Sequence, residues 1–385
     1  MVAFDEMKGK LLTLDQVQER ISSTEPLGQQ HLSTANKIYF DFEPDWALGL
    51  EAKDGTTPVN AVIRVNGVDH RLTKDAALQA GASFGLPGKY AAKVPSNFLA
   101  PQLNYWFSGG MGDHEFNMLT TGQDQAVAAF TKATIQPFSN QSLVNEVVNG
   151  IRERYGNEEI FADYKFNHSL VKTDIRFIVP NALRHITGGG LADVPHGQTD
   201  EWAGGIHLTN SLMGKSQTRL ETYLFRWWCT NGCTTTMPDM GVWSRRGDQD
   251  TTDVYEWART AVDDVLGGLE VQFDRIQALT SLNVGDNVGD IVRDIFDQFN
   301  VPVSQRQGVI DTLVEAENLS MYTVQNAISQ TANDPDINPE RVDKITRIAG
   351  AVIGSTFNSI KAQVWREGHI ADPEAANPYE IGHNV

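Results

Sequence analysis

Apolar residues follow two different spacings along the chain, and the change from one to the other divides the sequence. Before about residue 250, many segments alternate apolar and polar residues, as Ile38, Phe40 and Phe42 do, which is typical of strands that bury one face. After that point, apolar residues recur every three or four positions, as they do in helices. The pattern predicts an α+β fold, with antiparallel hairpins and a mixed sheet packed with helices, followed by a C-terminal helical bundle.

Local motifs predict individual elements of the first part. Thr13 and Gln16 have the spacing of a capping box, so a helix is expected to begin there. Asn66-Gly67 separates two strand-like runs and predicts a hairpin, because both central positions of its turn need positive φ. Ser142 is expected to cap an amphipathic helix. The other predicted elements are a strand within 37–50, a helix at 72–80, a hairpin of 116–119 with 126–130, and strands at 172–179, 202–209 and 219–229.

Everything beyond the irregular segment 237–250 reads as helix. The stripe that starts at Val254 continues without a break to Leu269. The remaining helices are predicted at 291–299, after Ser304, at 320–330, and from Asn338-Pro339 to Val364.

The negative charge is concentrated in the helical third. The net charge of the chain is −18, and residues 250–385 hold 22 acidic against 9 basic residues, so they carry −13 of it. The charge step coincides with the change of periodicity, which predicts two domains, 1–249 and 250–385. On this basis we expect limited proteolysis near 239–252 to release a stable acidic helical fragment.

Bulk composition narrows the class of protein. The hydrophobic fraction of 41% is typical of a globular chain. No apolar run approaches the ~20 residues of a membrane span, and residues 1–10 lack the apolar core of a signal peptide. Two cysteines cannot form a disulfide framework. These features predict a cytoplasmic protein with no membrane partner.

Three motifs suggest catalysis or metal binding and are incomplete. Residues 81–85 match G-x-S-x-G, but a helix rather than a strand is predicted before Ser83, so we expect no nucleophile elbow. Residues 214–216 match the end of a P-loop, but Thr209 occupies the place of its first glycine. Cys229 and Cys233 would supply two zinc ligands where four are needed. We therefore predict no catalytic residue, no metal and no cofactor, and rank an enzyme third among the possible functions.

The segment 219–228 is the richest in candidate chemistry. Aromatic side chains interleaved with arginines are the means by which single-stranded nucleic acid is bound, because the rings stack on bases while the arginines neutralise phosphates. An ordinary sheet core uses the same residues, and both interpretations stand at this point. The candidate nucleic-acid contacts are Lys215, Arg219, Tyr223, Phe225, Arg226 and Trp227.

One stretch of the sequence resembles a known family. Residues 208–211 (LTNS), 214–216 (GKS) and 225–232 (FRWWCTNG) are similar to the central signature of the phage/plasmid-like family of domains of unknown function, number nine-thirty-two. The resemblance covers about residues 60–249. It implies a phage or plasmid origin and supplies no catalytic residues.

Two functions of different classes follow from these observations. The first is a non-enzymatic protein of phage replication or recombination that binds or anneals single-stranded nucleic acid through the central sheet. The alternative is a protein-interaction or assembly protein, as a virion component or a binder of host machinery, that uses the acidic helices. A homo-oligomer is expected in either case.

Overall fold

The fold is taken from a computed structural model of the full chain. It describes residues 8–24, 30–42, 58–91, 94–110, 112–120, 126–133, 138–156, 159–163, 167–168, 173–188, 199–211, 217–227, 231–235, 243–245, 251–284, 288–298, 301, 303–316, 318–333 and 339–354. Within these ranges the fold is α+β, with two sheets that contain antiparallel and mixed pairings.

The first sheet, sheet A, contains eight strands, and its central path is β1-β8-β10-β11-β12-β13. Its three long antiparallel strands are β10 (Thr173–Ile186), β11 (Asp200–Asn210) and β12 (Thr218–Arg226). A bulge in β10 lies between Val179 and Leu183, where Pro180 has no N–H to give to a ladder. The shorter strands are β1 (Leu12–Thr13), β8 (Phe161–Ala162), β9 (Asn167–His168), β13 (Asn231–Thr235) and β14 (Trp243–Arg245).

The second sheet, sheet B, has six strands in the order β2-β6-β7-β5-β4-β3. Asn66 and Gly67 have φ of 50° and 86°, which confirms the predicted hairpin between β4 and β5. The predicted hairpin of β6 with β7 is also confirmed. The strands are β2 (Gln30–Thr34), β3 (Ile38–Phe42), β4 (Pro58–Val65), β5 (Val68–Thr73), β6 (Glu115–Thr120) and β7 (Val127–Lys132).

The helices predicted from periodicity are present, whereas the helices at 88–91 and 96–105 were not predicted. They are α1 (Leu14–Thr24), α2 (Lys74–Ala82), α3 (Gly88–Ala91), α4 (Ser96–Tyr105), α5 (Asn140–Tyr155), α6 (Thr251–Gly267), α7 (Leu269–Leu279), α8 (Val288–Gln298), α9 (Val303–Val314), α10 (Met321–Gln330) and α11 (Pro339–Gly354). The prediction that the last helix continues to Val364 falls outside the described residues.

Side-chain caps explain where several helices begin. The capping box of α1 is confirmed, since Gln16 N donates to Thr13 Oγ1 at 3.3 Å and Thr13 N to Gln16 Oε1 at 2.9 Å. The cap of α5 is Ser139 rather than the predicted Ser142, whose backbone N–H donates to Ser139 Oγ at 3.3 Å. Three residues separate the two serines, so the spacing alone suited either one.

The buried apolar residues form two main cores, and neither matches the predicted division at residue 250. One core joins sheet A and α5 to helices α6–α11, from Leu12 to Ile353. The other belongs to sheet B and helices α2–α4. The helices after residue 250 therefore complete the core of sheet A, and the change of periodicity at that point marks a change of secondary structure within one core.

Residues on the two sides of the predicted boundary pack directly against one another. A Cβ on Gly150 of α5 would lie 2.9 Å from Val262 Cβ of α6, and a Cβ on Gly204 of β11 would lie 2.5 Å from Leu269 Cδ1. A side chain at either position would require its neighbour to shift. Elements on the two sides of residue 250 thus pack closely against one another, which a charge step does not reveal.

Candidate functional site

The predicted nucleic-acid strand β12 lies inside the protein. Its residues alternate as expected, with Leu220 and Leu224 in the core shared with the helices and Tyr223 and Phe225 in a smaller core on the opposite face. Tyr223, Phe225 and Trp227 are all fully buried, so no base can stack on these rings in this conformation. Both faces of β12 are covered, and the aromatic residues predicted as a stacking platform are core residues instead.

The structure gives different environments to the cations that were predicted to contact phosphates. Arg226 is buried, and its Nε donates to Asp200 Oδ2 at 2.6 Å. Asp200 also accepts a hydrogen bond from the hydroxyl of Tyr322 on α10, and Trp202 Nε1 donates to that hydroxyl at 2.9 Å. Asp200 and Trp202 of β11 therefore attach α10 to sheet A, and Arg226 pairs with the same Asp200 carboxylate. Arg219 is half-buried, and Lys215 lies outside the described residues.

The family-like signature has a structural role in the described residues. The side chain of Asn210 donates from Nδ2 to Phe138 O at 2.9 Å and to Asn140 Oδ1 at 2.8 Å. Its Oδ1 accepts from Thr218 Oγ1 at 2.8 Å. One buried amide thus joins the end of β11, the start of β12 and the start of α5.

The serine of the G-x-S-x-G motif lies at the end of a helix. Ser83 follows α2 and donates from Oγ to Ala80 O at 2.6 Å, as a residue at a helix end does. The residue with positive φ in this turn is Gly85, at 84°. Residues 214–216, Cys229 and the side chain of Cys233 lie outside the described residues.

Sequence reasoning missed a buried cluster of charges on sheet A. Arg176, His207 and Glu221 are direct neighbours in register across β10, β11 and β12. Arg347 of α11 makes two hydrogen bonds to Glu221, with Nη1 to Oε1 at 2.6 Å and Nη2 to Oε2 at 2.5 Å. Asp343, one turn earlier in α11, accepts from Arg347 Nε at 3.0 Å.

His207 lies at the centre of this cluster. Its Nε2 is 2.6 Å from Asp174 Oδ1, and its Nδ1 is 3.9 Å from Glu221 Oε2. The Asp174 carboxylate also pairs with Arg176 Nη2 at 3.2 Å. Two guanidinium groups and one imidazole therefore meet three carboxylates, and four of these six residues are buried, namely Asp174, Arg176, His207 and Glu221.

Electrostatics favour a structural role for the cluster. Burial alone would lower the pKa of the Arg347 guanidinium, but the hydrogen bonds and charge of Glu221 outweigh it, and the pKa is raised. Donor atoms of Asp174, His207 and Asp343 all lie within 4.8 Å of one another, which suits a metal ion by distance. Both carboxylates already compensate the charge of Arg176 and Arg347, so a divalent cation would have to compete with buried Arg176 and with Arg347, which is 23% exposed. The cluster is a latch between α11 and sheet A.

The helices beyond residue 250 expose an apolar groove between α8 and α9. Its cavity volume is about 570 Å³. The floor is buried Val292, Phe296 and Leu313, and the rim includes Ile310 and Val314, which are 42% and 80% exposed. Exposed apolar surface of this kind marks interaction sites, because an isolated chain gains nothing by leaving it in water.

Acidic residues are frequent in the helices that form this groove, but none of the lining residues carries a carboxylate. Residues 288–316 contain five acidic residues against two arginines, a net charge of −3. Both arginines line the groove and are paired, Arg293 with Asp290 at 2.9 Å and Arg306 with Asp297 at 3.5 Å. The groove is thus an apolar slot in acidic surroundings.

Comparisons with known proteins leave these sites to be interpreted from their own chemistry. No protein-family model, curated protein or solved structure matches the chain. Among the described residues, no helix is both long and apolar enough to cross a membrane.

Proposed function

We propose that this chain is a protein-interaction or assembly protein whose working surface is the groove between α8 and α9. The observation that carries the proposal is the exposed apolar rim of Ile310 and Val314 above a buried apolar floor. A phage or plasmid origin, a host-cell cytoplasmic location and a homo-oligomeric state remain predictions beside it.

The shape and charge of the groove select the chemistry of its partner. Its lining residues on α8 are Val288, Val292 and Phe296, spaced four apart along one helix, and α9 supplies the opposite wall. Two helical walls with a floor of side chains can accept the apolar face of a third helix, which is a recurrent mode of peptide recognition. The net charge of −3 around the slot favours lysine or arginine on the flanks of that helix. The partner is therefore a cationic amphipathic helix of another protein.

Binding of a designed peptide tests this proposal. The probe is a fluorescein-labelled 18-residue peptide with leucines at helical i, i+3, i+4 and i+7 spacing and lysines elsewhere, measured by anisotropy against the full chain. The comparison peptides are a scramble of the same composition and a version with glutamate in place of lysine. We expect the amphipathic cationic peptide to bind most tightly, and Ile310→Asp to weaken it by about tenfold, the equivalent of about 1.4 kcal/mol.

A matched substitution separates the groove from the general surface. Val303 is 79% exposed on the same helix α9 but does not line the groove, so Val303→Asp should leave binding unchanged. Equal binding of the scrambled peptide, or equal loss from both substitutions, would contradict the proposal. If the unliganded protein is a dimer that Ile310→Asp dissociates while Val303→Asp does not, the occupant is a second copy of this chain, and the cationic partner is wrong.

A further inference from the structure

Sheet B carries a second pocket of different chemistry. It has a volume of about 400 Å³ and lies where β3 meets the end of α4. Asn104 of α4 fixes this corner, since its side chain accepts from Phe40 N at 2.7 Å and donates to Phe40 O at 2.8 Å. β3 is the last strand of sheet B in the described residues, and this amide pair supplies hydrogen bonds to its outer edge.

Two exposed tyrosines line the pocket from different elements. Tyr39 projects from β3, between buried Ile38 and Phe40, and is 50% exposed. Tyr105 ends α4 and is 70% exposed. Exposed rings that share one cavity offer flat apolar faces on which a planar ligand can stack.

The polar groups of the pocket suit an anion. Among its lining residues are the cations Lys37 and Arg64, with no carboxylate. Arg64 is opposite Tyr39 in the strand register and is held in place by Asp69, at 2.6 Å and 3.0 Å. Asn36 and Ser108 add an amide and a hydroxyl that can bond to the edge of a ring.

We infer that this pocket binds a nucleotide unit, with Tyr39 and Tyr105 stacking on the base and Lys37 and Arg64 contacting the phosphate. A volume of about 400 Å³ is within the range of small-ligand sites. The unit can belong to a single strand or to a free nucleotide, because the base and phosphate are the same in both. The site lies in sheet B and does not depend on the groove between α8 and α9.

The net charge of the protein limits the expected affinity for an oligonucleotide. A net charge of −18 opposes any polyanion at long range, so the affinity for an oligonucleotide should be modest at every salt concentration. Two cations line the pocket among the described residues, so log K should fall with log salt at a slope no steeper than about −1.4, the value for two phosphate contacts on a single strand.

The experiment measures anisotropy of a labelled 15-nucleotide oligothymidylate with the full chain across a salt series. Unlabelled thymidine monophosphate serves as competitor. Tyr105→Ala should weaken oligonucleotide binding by about 5- to 150-fold, the range for one base lost from a stack. Phe98→Ala is the matched control, since Phe98 is 59% exposed on the same helix but does not line the pocket. Melting of both variants confirms that the fold is unchanged.

The competitor identifies the source of the nucleotide. If the monophosphate displaces the oligonucleotide at a concentration near its own direct affinity, the ligand is a free nucleotide; if it does not, the ligand is a strand. The inference is overturned if neither probe binds at about 50 mM salt, where phosphate contacts are strong. It is also overturned if Phe98→Ala weakens binding as much as Tyr105→Ala, or if Lys37→Ala abolishes binding that Tyr105→Ala leaves intact.

Discussion

Replacing Arg347 by methionine removes the cation that α11 places against buried Glu221. The Glu221 side chain has no exposed surface, and that of Arg347 is 23% exposed. The substitution keeps most of the aliphatic stem and leaves the imidazole Nδ1 of His207 at 3.9 Å from the Glu221 carboxylate.

The expected loss follows from the geometry. Each hydrogen bond to a charged group contributes about 1.5–3 kcal/mol, and Arg347 makes two of them to Glu221. Breaking a buried pair by removing one partner costs about 3–5 kcal/mol. We expect a loss near the lower end, about 3 kcal/mol, because His207 remains close to the carboxylate.

Urea unfolding followed by circular dichroism measures this loss through the midpoint at unchanged slope. Arg341→Met is the control, since Arg341 is exposed on the same helix, and it should change stability by less than about 0.5 kcal/mol. The double substitution Glu221→Gln with Arg347→Met should cost clearly less than the sum of the two single ones. A loss below about 1 kcal/mol for Arg347→Met, or simple additivity, would refute the latch.

Three further predictions concern packing, pH and folding units. Gly150→Ala should destabilise the protein by about 1–3 kcal/mol, measured by urea unfolding, because its new methyl group would lie 2.9 Å from Val262 Cβ. Burial, together with Asp200, raises the pKa of Tyr322 above its ordinary value of 10.0, so its stabilising effect is present below that pH and lost as pH rises through the folded pKa. Tyr322→Phe should therefore reduce the loss of stability between pH 9 and pH 11 in urea unfolding. Residues 30–133, which hold their own core, should unfold cooperatively as an isolated fragment, whereas residues 250–385 should not fold without sheet A.

A specific experimental result would contradict each of these three predictions. Gly289→Ala meets nothing within 4 Å and is the control for Gly150, so equal effects would exclude crowding between α5 and α6. An unchanged alkaline loss of stability in Tyr322→Phe would show that other groups cause it. A fragment of residues 250–385 that resists protease and melts cooperatively would restore the two-domain division at residue 250.

Features that depend on a few neighbouring residues were determined by the sequence itself. The capping box of Thr13 and Gln16, the turn at Asn66-Gly67 and the helical stripes after residue 250 all involve interactions within one or two turns of chain. Each was predicted in the right place, and so was the alternation of side chains along β12. The start of α5 shows the limit of such signals, because Ser139 and Ser142 are equally good caps until the packing of the helix is known.

Only the tertiary structure decided which faces meet. An arginine-aromatic strand has the same pattern whether it binds bases or lies between two cores, so the burial of Tyr223 and Phe225 required knowledge of what covers each face of sheet A. Arg347 and Glu221 are 126 residues apart, and no local periodicity encodes such a pairing. The pocket of Tyr39 and Tyr105 likewise exists because a strand and a helix end at the same corner. The negative charge does increase near residue 250, but the apolar stripes of the helices after that point pack against sheet A. Buried residues on both sides of residue 250 therefore form one core, although the sequence predicts two domains.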